Sequence, residues 1–209
     1  MDRMAAPIDF YFDFISPFGY FGSLRVEALA AKHGRTVEWH AMLLGVSVMK
    51  VMGLKPLLET PLKGPYSIRD AGRYARLHGL KLKRRFDSPM MDPRACAQAF
   101  YWCKAHRPGD EPRLAAALLH AYWAEGRDLA APDAVAEAAA AAGFERAGFC
   151  NELRAAIGSD ESRALLRKAV ERSLERGIFG SPTLVIDGEP FWGVQSFELA
   201  ERWLATGGW

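Results

Sequence analysis

The sequence predicts an α/β protein whose sheet is built from the two ends of the chain, with a large helical segment between them. Three observations support this prediction. Residues 8–44 contain two strand-like runs separated by a helical stripe, residues 50–176 contain no convincing strand, and residues 182–193 have the pattern of a β-hairpin. With 209 residues, 50% of them hydrophobic, the chain is long enough to bury a substantial core.

The first unit is predicted to be β-α-β. Its first strand covers Ile8 to Phe14, where aromatic and aliphatic residues alternate with acids. Proline suits the first helical position because its missing N–H would be unpaired there, so Pro17 predicts a helix start with Ser16 as the N-cap. One helix is expected from Pro17 to about His33, followed by a second strand from Thr36 to Leu44. The crossover implies that the two strands are parallel.

The middle of the chain is predicted to be helical throughout. Apolar stripes at helical spacing, glycine stops and a serine cap indicate five helices: Asp70 to Gly79, Pro93 to His106, Leu114 to Glu125, Pro132 to Ala142, and a longer one between Ser159 and Gly177. We therefore predict a sheet domain formed by residues 1–48 and 178–209, interrupted by a helical insertion domain formed by residues 49–177.

The last segment supplies the rest of the sheet. A strand from Thr183 to Ile186, an Asp-Gly turn and a second short strand predict a hairpin, and a final helix follows over Ser196 to Leu204. The order β-α-β, helices, β-β-α is that of a thioredoxin-like sheet. In that fold the loop before the penultimate strand faces the start of the first helix and usually carries a cis-proline. We therefore expect a cis Ser181–Pro182 bond beside Ser16, although a trans proline at a strand start is the alternative.

Composition excludes several function classes. The net charge is +2, from 27 basic and 25 acidic residues, so no nucleic-acid partner is indicated, and the basic run KLKRR is typical of a solvated loop. No apolar stretch approaches membrane-spanning length, and MDRMAAP lacks the apolar core of a signal peptide, so we expect a cytoplasmic protein without a membrane partner. Three cysteines without CxxC and five scattered histidines predict neither disulfides nor a metal site.

Two motifs together resemble one family. The stretches FYFDFISPFGY and GIFGSPTLVIDGEPFWG are similar to those of the 2-hydroxychromene-2-carboxylate isomerases, relatives of kappa-class glutathione transferases in the DsbA-like branch of the thioredoxin superfamily. The resemblance implies that Ser16 is the catalytic serine, at the place where a DsbA oxidoreductase has its first redox cysteine. It also implies glutathione as the cofactor, because SPFG in place of CxxC leaves the chain without its own redox pair.

The resemblance further implies a set of binding residues. Glutathione would contact Ser16 through its sulfur, Ser181 and Pro182 through its cysteinyl backbone, and the segment Trp192, Gly193, Val194 and Gln195 through its γ-glutamyl end. Lys50, Lys55 and Asp92 would contact an anionic second substrate, although Lys50 could equally be a solvated lysine at a helix end. The sequence departs from the family at Gln195, where an acid is expected, and at Leu54-Lys55 and Asp92, where the family has Asn-Arg and Asn.

The activity implied by the resemblance is a glutathione-dependent cis–trans isomerisation of a 2-hydroxychromene-2-carboxylate-like intermediate of aromatic, naphthalene-type catabolism. The expected partners are a small aromatic substrate and a second copy of the chain in a homodimer. Two alternatives stay open: a kappa-like transferase that conjugates glutathione to an electrophile, and a non-catalytic thioredoxin-fold protein that binds peptides beside the cis-proline.

Overall fold

The computed structural model describes residues 6–144 and 148–209, and within them the chain forms one four-stranded mixed sheet. The strands are β1 (Ile8–Phe12), β2 (Val37–Ala41), β3 (Thr183–Ile186) and β4 (Glu189–Trp192), in the order β2-β1-β3-β4. β1 is parallel to β2 and antiparallel to β3, and β3 and β4 form the hairpin. The predicted thioredoxin-like α/β class, with helices between the two halves of the sheet, is confirmed.

The described residues also form nine α-helices. They are α1 (Pro17–Ser23), α2 (Val26–Lys32), α3 (Lys63–Leu77), α4 (Arg94–His106), α5 (Glu111–Trp123), α6 (Pro132–Ala141), α7 (Phe149–Ala156), α8 (Asp160–Glu175) and α9 (Phe197–Thr206). A π-helix covers Gly45–Val51, and 3-10 helices cover Leu57–Glu59 and Val194–Ser196.

The prediction of a single helix after Ser16 is wrong, because the structure has two helices there, α1 and α2. Gly22 and Ser23 are poor helix formers, and the Ser23 hydroxyl donates to the Tyr20 carbonyl at 2.7 Å, in competition with the regular helical bonds. The chain turns at Leu24–Arg25 before α2 begins. Gly22 also allows close packing, since a Cβ there would lie 3.1 Å from Pro182 and 3.2 Å from Phe197.

The remaining predicted elements are present, with different ends. The first two strands are shorter than predicted, α3 begins seven residues earlier, and α7 and the π-helix were not predicted. Ser159 caps α8 as expected, its hydroxyl oxygen accepting from the Ser162 N–H at 3.1 Å.

The sheet and the helices share a large hydrophobic core, and Tyr11, Met42 and Ile178 form a smaller separate cluster. The rings of Phe12 on β1 and Phe100 on α4 lie 5.6 Å apart, edge to face. Two buried side chains of the helical segment donate to backbone carbonyls near the carboxyl ends of the parallel strands: Tyr101 to Ala41 at 2.7 Å, and the Trp123 indole to Phe14 at 3.0 Å. The helical segment is therefore packed against the end of the sheet where Ser16 lies. The division into two domains stays a prediction.

Candidate active site

Ser16 lies buried where β1 gives way to α1, and its hydroxyl makes two hydrogen bonds. The oxygen accepts from the Gly19 N–H at 3.0 Å, which confirms the predicted N-cap. The hydroxyl hydrogen is donated to the Ser181 carbonyl at 3.0 Å. The predicted cis bond between Ser181 and Pro182 is present. The structure therefore brings together the two loops that the sequence predicted to meet.

The Ser181 side chain adds a second hydrogen bond between the two loops, and we call this contact of Ser16, Ser181 and Pro182 the junction. Its hydroxyl oxygen accepts from the Asp13 N–H at 2.9 Å. Gly19 fits against it with no room for a side chain, because a Cβ there would lie 2.6 Å from the Ser181 hydroxyl oxygen and 3.1 Å from the Asp13 carbonyl oxygen. In the sequence, Gly19 is only the last residue of SPFG, where CxxC would have its second cysteine, and its packing role depends on the distant loop that faces it.

Asp13 is a site residue that the sequence analysis missed. Its side chain is completely buried, and its carboxylate accepts from the Leu44 N–H at 2.7 Å and the Ile15 N–H at 3.1 Å. Burial raises the pKa of Asp13 to about 6, with a smaller contribution from the charge of Asp92, while the two backbone donors oppose the rise. The sequence does contain a signal for Asp13: an acidic residue inside the aromatic run FYFDFI, three residues before the N-cap Ser16.

The segment predicted to hold the γ-glutamyl end lies next to Pro182. The Gly193 N–H donates to the Pro182 carbonyl at 2.8 Å, and Gly193 has a φ of +90°, which favours glycine. The Trp192 indole covers Gly180, where a Cβ would overlap the ring, and lies edge to face with Phe179 at 4.9 Å. Trp192 is still 58% exposed, so an aromatic surface borders the junction.

The π-helix that carries Lys50 is attached close to Ser16 at two points. Its first turn follows Leu44, which is bound to Asp13, and its Ser47 hydroxyl donates to the Phe179 carbonyl at 3.5 Å. Lys50 and Lys55 are both exposed. Asp92 is also exposed, and its hydrogen bonds from Arg94 lower the pKa of the carboxyl. Substrate binding by these three residues stays a prediction.

The buried thiols of α4 are poorly suited to redox chemistry. Burial raises the pKa of both Cys96 and Cys103, the latter to about 12. A thiol with such a pKa is protonated at neutral pH, whereas thiol–disulfide exchange requires the thiolate.

Within residues 6–144 and 148–209, no three histidine, cysteine, aspartate or glutamate side chains are grouped as metal ligands. Over the same ranges, no helix combines the length and apolar character needed to cross a bilayer.

Curated relatives of similar length resemble this chain from end to end. The 2-hydroxychromene-2-carboxylate isomerase of Sphingobium xenophagum is 26% identical over 205 residues, covering 96% of this chain and 99% of that protein. The isomerase of the same name from Pseudomonas putida is 29% identical over 195 residues, covering 89% and 88%.

Solved structures share the fold. A structure of 2-hydroxychromene-2-carboxylate isomerase superposes with a TM-score of 0.77 at 24% identity, covering 95% of this chain and 94% of the other. The cytosolic disulfide reductase DsbM from Pseudomonas aeruginosa, solved with GSH, gives a TM-score of 0.64 at 19% identity, covering 95% and 96%. The model of the DSBA-like thioredoxin domain matches residues 7–205. The resemblance of the sequence to the 2-hydroxychromene-2-carboxylate isomerases is thus confirmed, and the chain belongs to the DSBA-like thioredoxin domain family.

Proposed function

We propose that this chain is a glutathione-dependent cis–trans isomerase acting on a 2-hydroxychromene-2-carboxylate-like intermediate of aromatic, naphthalene-type catabolism. The observation that carries the proposal is the Ser16 hydroxyl, buried at the start of α1 and hydrogen-bonded to the backbone of Ser181. The names of the curated relatives support the isomerase activity. The DsbM structure solved with GSH shows that another protein of this fold binds glutathione.

The donors and acceptors at the junction fit glutathione. Ser16 offers a hydroxyl that can donate to sulfur, and Ser181 offers a backbone carbonyl that can pair with a peptide N–H in an extended ligand. When bound, glutathione would supply a thiolate that adds to an unsaturated carbon of the substrate and is released unchanged after the carbon–carbon bond has rotated.

The Ser16 hydroxyl has a single hydrogen, so it cannot serve Ser181 and a sulfur atom together. Donation to the sulfur therefore requires the hydroxyl to turn away from the Ser181 carbonyl, which then becomes available to the ligand backbone. The bond from the Gly19 N–H to the Ser16 oxygen can persist during this exchange. A bond to a thiolate is charge-assisted and about twice as strong as the neutral bond it replaces.

The first turn of α1 adds to the same effect chiefly through the Phe18 N–H, because Pro17 has no N–H and the N–H groups of Gly19 and Tyr20 already donate to Ser16. A helix terminus favours an anion through its first turn, so the short α1 can contribute although it spans only seven residues. An unperturbed cysteine thiol has a pKa of about 8.5, so only a minor fraction is ionised at neutral pH. Ser16 would thus increase the thiolate fraction without itself attacking the substrate.

Titration calorimetry with reduced glutathione, combined with a turnover assay, tests this function. We expect saturable binding, and isomerisation of 2-hydroxychromene-2-carboxylate only when glutathione is present, with the free thiol concentration unchanged. Stoichiometric loss of free thiol would instead identify a transferase. Absence of glutathione binding together with peptide binding would identify a non-catalytic peptide-binding protein and refute the proposal.

The protein is expected to lack disulfide reductase activity of its own. Ser16 and Gly19 occupy the positions of a redox cysteine pair, and burial raises the pKa of the two α4 thiols. Insulin reduction should be indistinguishable from the uncatalysed rate without added thiol, and replacing Cys96, Cys103 and Cys150 by alanine should change nothing. Reduction that depends on any one of these cysteines would contradict the prediction.

A further inference from the structure

One arginine of the basic run KLKRR is partly buried without an acidic partner. Five arginines in the described part of the chain are partly buried. Four of these form ion pairs: Arg25 with Glu198, Arg35 with Asp187, Arg107 with Glu152 and Arg127 with Glu137. The fifth is Arg84, and no carboxylate of residues 6–144 and 148–209 lies within ion-pair distance of it. Because a charge that is partly removed from water is normally paired, Arg84 is an exception in a run that was expected to be solvated.

The Arg84 side chain is held in place but keeps free hydrogen-bond donors. Its guanidinium lies over the ring of Tyr122, 4.1 Å from the ring centre, and this stacking fixes its plane. Nη2 donates to the Pro89 carbonyl at the protein surface, and Nε is buried without a hydrogen-bond partner. A guanidinium has five N–H donors, so the end of the side chain retains donors that a ligand can reach from solvent.

The loop that carries Arg84 is attached beside the start of α1. The Arg84 backbone N–H donates to the Trp123 carbonyl at 3.2 Å. The Trp123 indole in turn donates at 3.0 Å to the carbonyl of Phe14, two residues before the N-cap of α1. The ring of Phe86 lies edge to face with Phe21 of α1 at 6.4 Å. The loop and the proposed sulfur-binding position are therefore on the same side of the molecule.

Nearby carboxylates make a cation necessary if an anionic substrate is to bind here. Burial raises the pKa of Asp13 to about 6, so its carboxyl is largely ionised at neutral pH, and the charge of Asp92 reaches it. Burial also raises the pKa of Tyr122, on which the charges of Arg84 and Asp13 act with opposite sign. Arg94 is already bound to Asp92 through Nε and Nη2. Arg84 therefore offers this region a positive charge that none of the described carboxylates pairs with.

We propose that Arg84 binds the carboxylate of the second substrate and makes the protein selective for aromatic carboxylates over neutral aromatic compounds. The inference rests on the proposed function, since it assumes that the second substrate lies beside Ser16. Stacking on Tyr122 occupies one face of the guanidinium and leaves its N–H edge for the planar carboxylate, which can accept two parallel hydrogen bonds. The family resemblance included no residue of the KLKRR run among the substrate contacts.

Calorimetric titration with cinnamate and cinnamamide tests this assignment, because the two aromatic probes differ only in the charged group. We expect the wild-type protein to bind cinnamate about tenfold more tightly than cinnamamide, in line with a partly exposed charge-assisted hydrogen bond. Arg84→Gln should lower cinnamate affinity by about the same factor and leave cinnamamide affinity nearly unchanged. Arg84→Lys keeps the charge without the planar fork and should retain part of the preference.

Arg85→Gln is the matched control, because Arg85 is the next residue in the run but is exposed and paired with Asp87 at 2.7 Å. It should leave both affinities unchanged. In the turnover assay, Arg84→Gln should raise KM for 2-hydroxychromene-2-carboxylate about tenfold with little change in kcat, and should not change glutathione affinity.

Two results would overturn the assignment: a wild-type protein that binds cinnamate no better than cinnamamide, or an Arg84→Gln variant that keeps the wild-type preference. Either result leaves the proposed function standing as long as isomerisation depends on glutathione. Isomerisation that is absent, or that proceeds without glutathione, is instead a failure of the proposed function.

Discussion

Replacing Ser16 by alanine is expected to reduce glutathione-dependent turnover by about 10- to 100-fold, while the protein remains folded. The reason is the loss of a hydrogen bond to a charged partner, which costs about 1.5–3 kcal/mol and acts mainly on thiolate formation. Loss of the N-cap bond to Gly19 adds a folding cost of about 1 kcal/mol. The direct signature is a raised pKa of the bound glutathione thiol, measured from thiolate absorbance as a function of pH.

Ser159→Ala is the matched control for this prediction. Ser159 caps α8 through the same type of bond, from the Ser162 N–H, but belongs to the helical segment rather than to the junction. Both alanine variants should lose similar stability in urea unfolding, and only Ser16→Ala should lose turnover. If Ser16→Ala is destabilised but retains full activity and an unchanged thiol pKa, Ser16 is only a helix cap.

Ser16→Cys changes the chemistry of the same position. It restores a thiol at the place of a first redox cysteine, while Gly19 leaves no second cysteine to resolve a disulfide. With oxidised glutathione, the new thiolate should form a mixed disulfide and release one molecule of reduced glutathione. Mass spectrometry should show one added glutathionyl group, and isomerase turnover should be lost. A variant that stays unmodified would argue against glutathione lying beside residue 16.

Asp13→Asn is expected to remove a large part of the pH dependence of stability between about pH 4 and pH 7. The folded-state pKa of Asp13 is raised to about 6 from the ordinary 3.8, so the folded protein holds this proton more tightly than the unfolded chain. The stability associated with the protonated carboxyl is therefore present below about pH 4 and is lost as the pH rises through 6. The difference between the two pKa values corresponds to about 3 kcal/mol.

Urea unfolding at a series of pH values measures this effect. The free energy of unfolding of the wild type should fall by about 2 kcal/mol relative to Asp13→Asn between pH 4 and pH 7, and by the full 3 kcal/mol, roughly, over a wider range. The asparagine also loses an acceptor for one of the two N–H groups that Asp13 binds, but that cost does not depend on pH. Asp87→Asn serves as the control, because pairing with Arg85 lowers the pKa of Asp87 and gives a dependence of opposite sign. Parallel pH profiles for wild type and Asp13→Asn would contradict the prediction.

The parts of the fold governed by local rules were predictable from the sequence. The N-cap at Ser16, the Asp187-Gly188 hairpin and the cap of α8 depend on residues close together in the chain. The meeting of Ser16 with Ser181 was predictable only because two distant motifs together indicated a known arrangement. The strand ends depend on tertiary packing, and the division of the first helix depends on Ser23. The apolar pattern of the sequence continues through both and so does not show them.

Asp13 was missed for a physical reason. Asp13 has the spacing of a solvent-facing strand residue, and only the tertiary fold shows that Leu44 reaches it with a backbone donor. The Gln195 amide likewise donates to Asp70, a residue 125 positions away in the chain. A side chain recruited across such a separation leaves no periodic signal, so a single sequence contains no local evidence for it.

The bonds from Tyr101 to Ala41 and from Trp123 to Phe14 bear on how the molecule can move. A hinged opening of the helical segment would break both bonds and separate the packed rings of Phe12 and Phe100, exposing buried apolar surface to water. The helical segment and the sheet should therefore unfold together as a single cooperative unit, without large motions of one relative to the other. Access of small molecules to Ser16 would then depend on local motion of the exposed connection between β2 and α3.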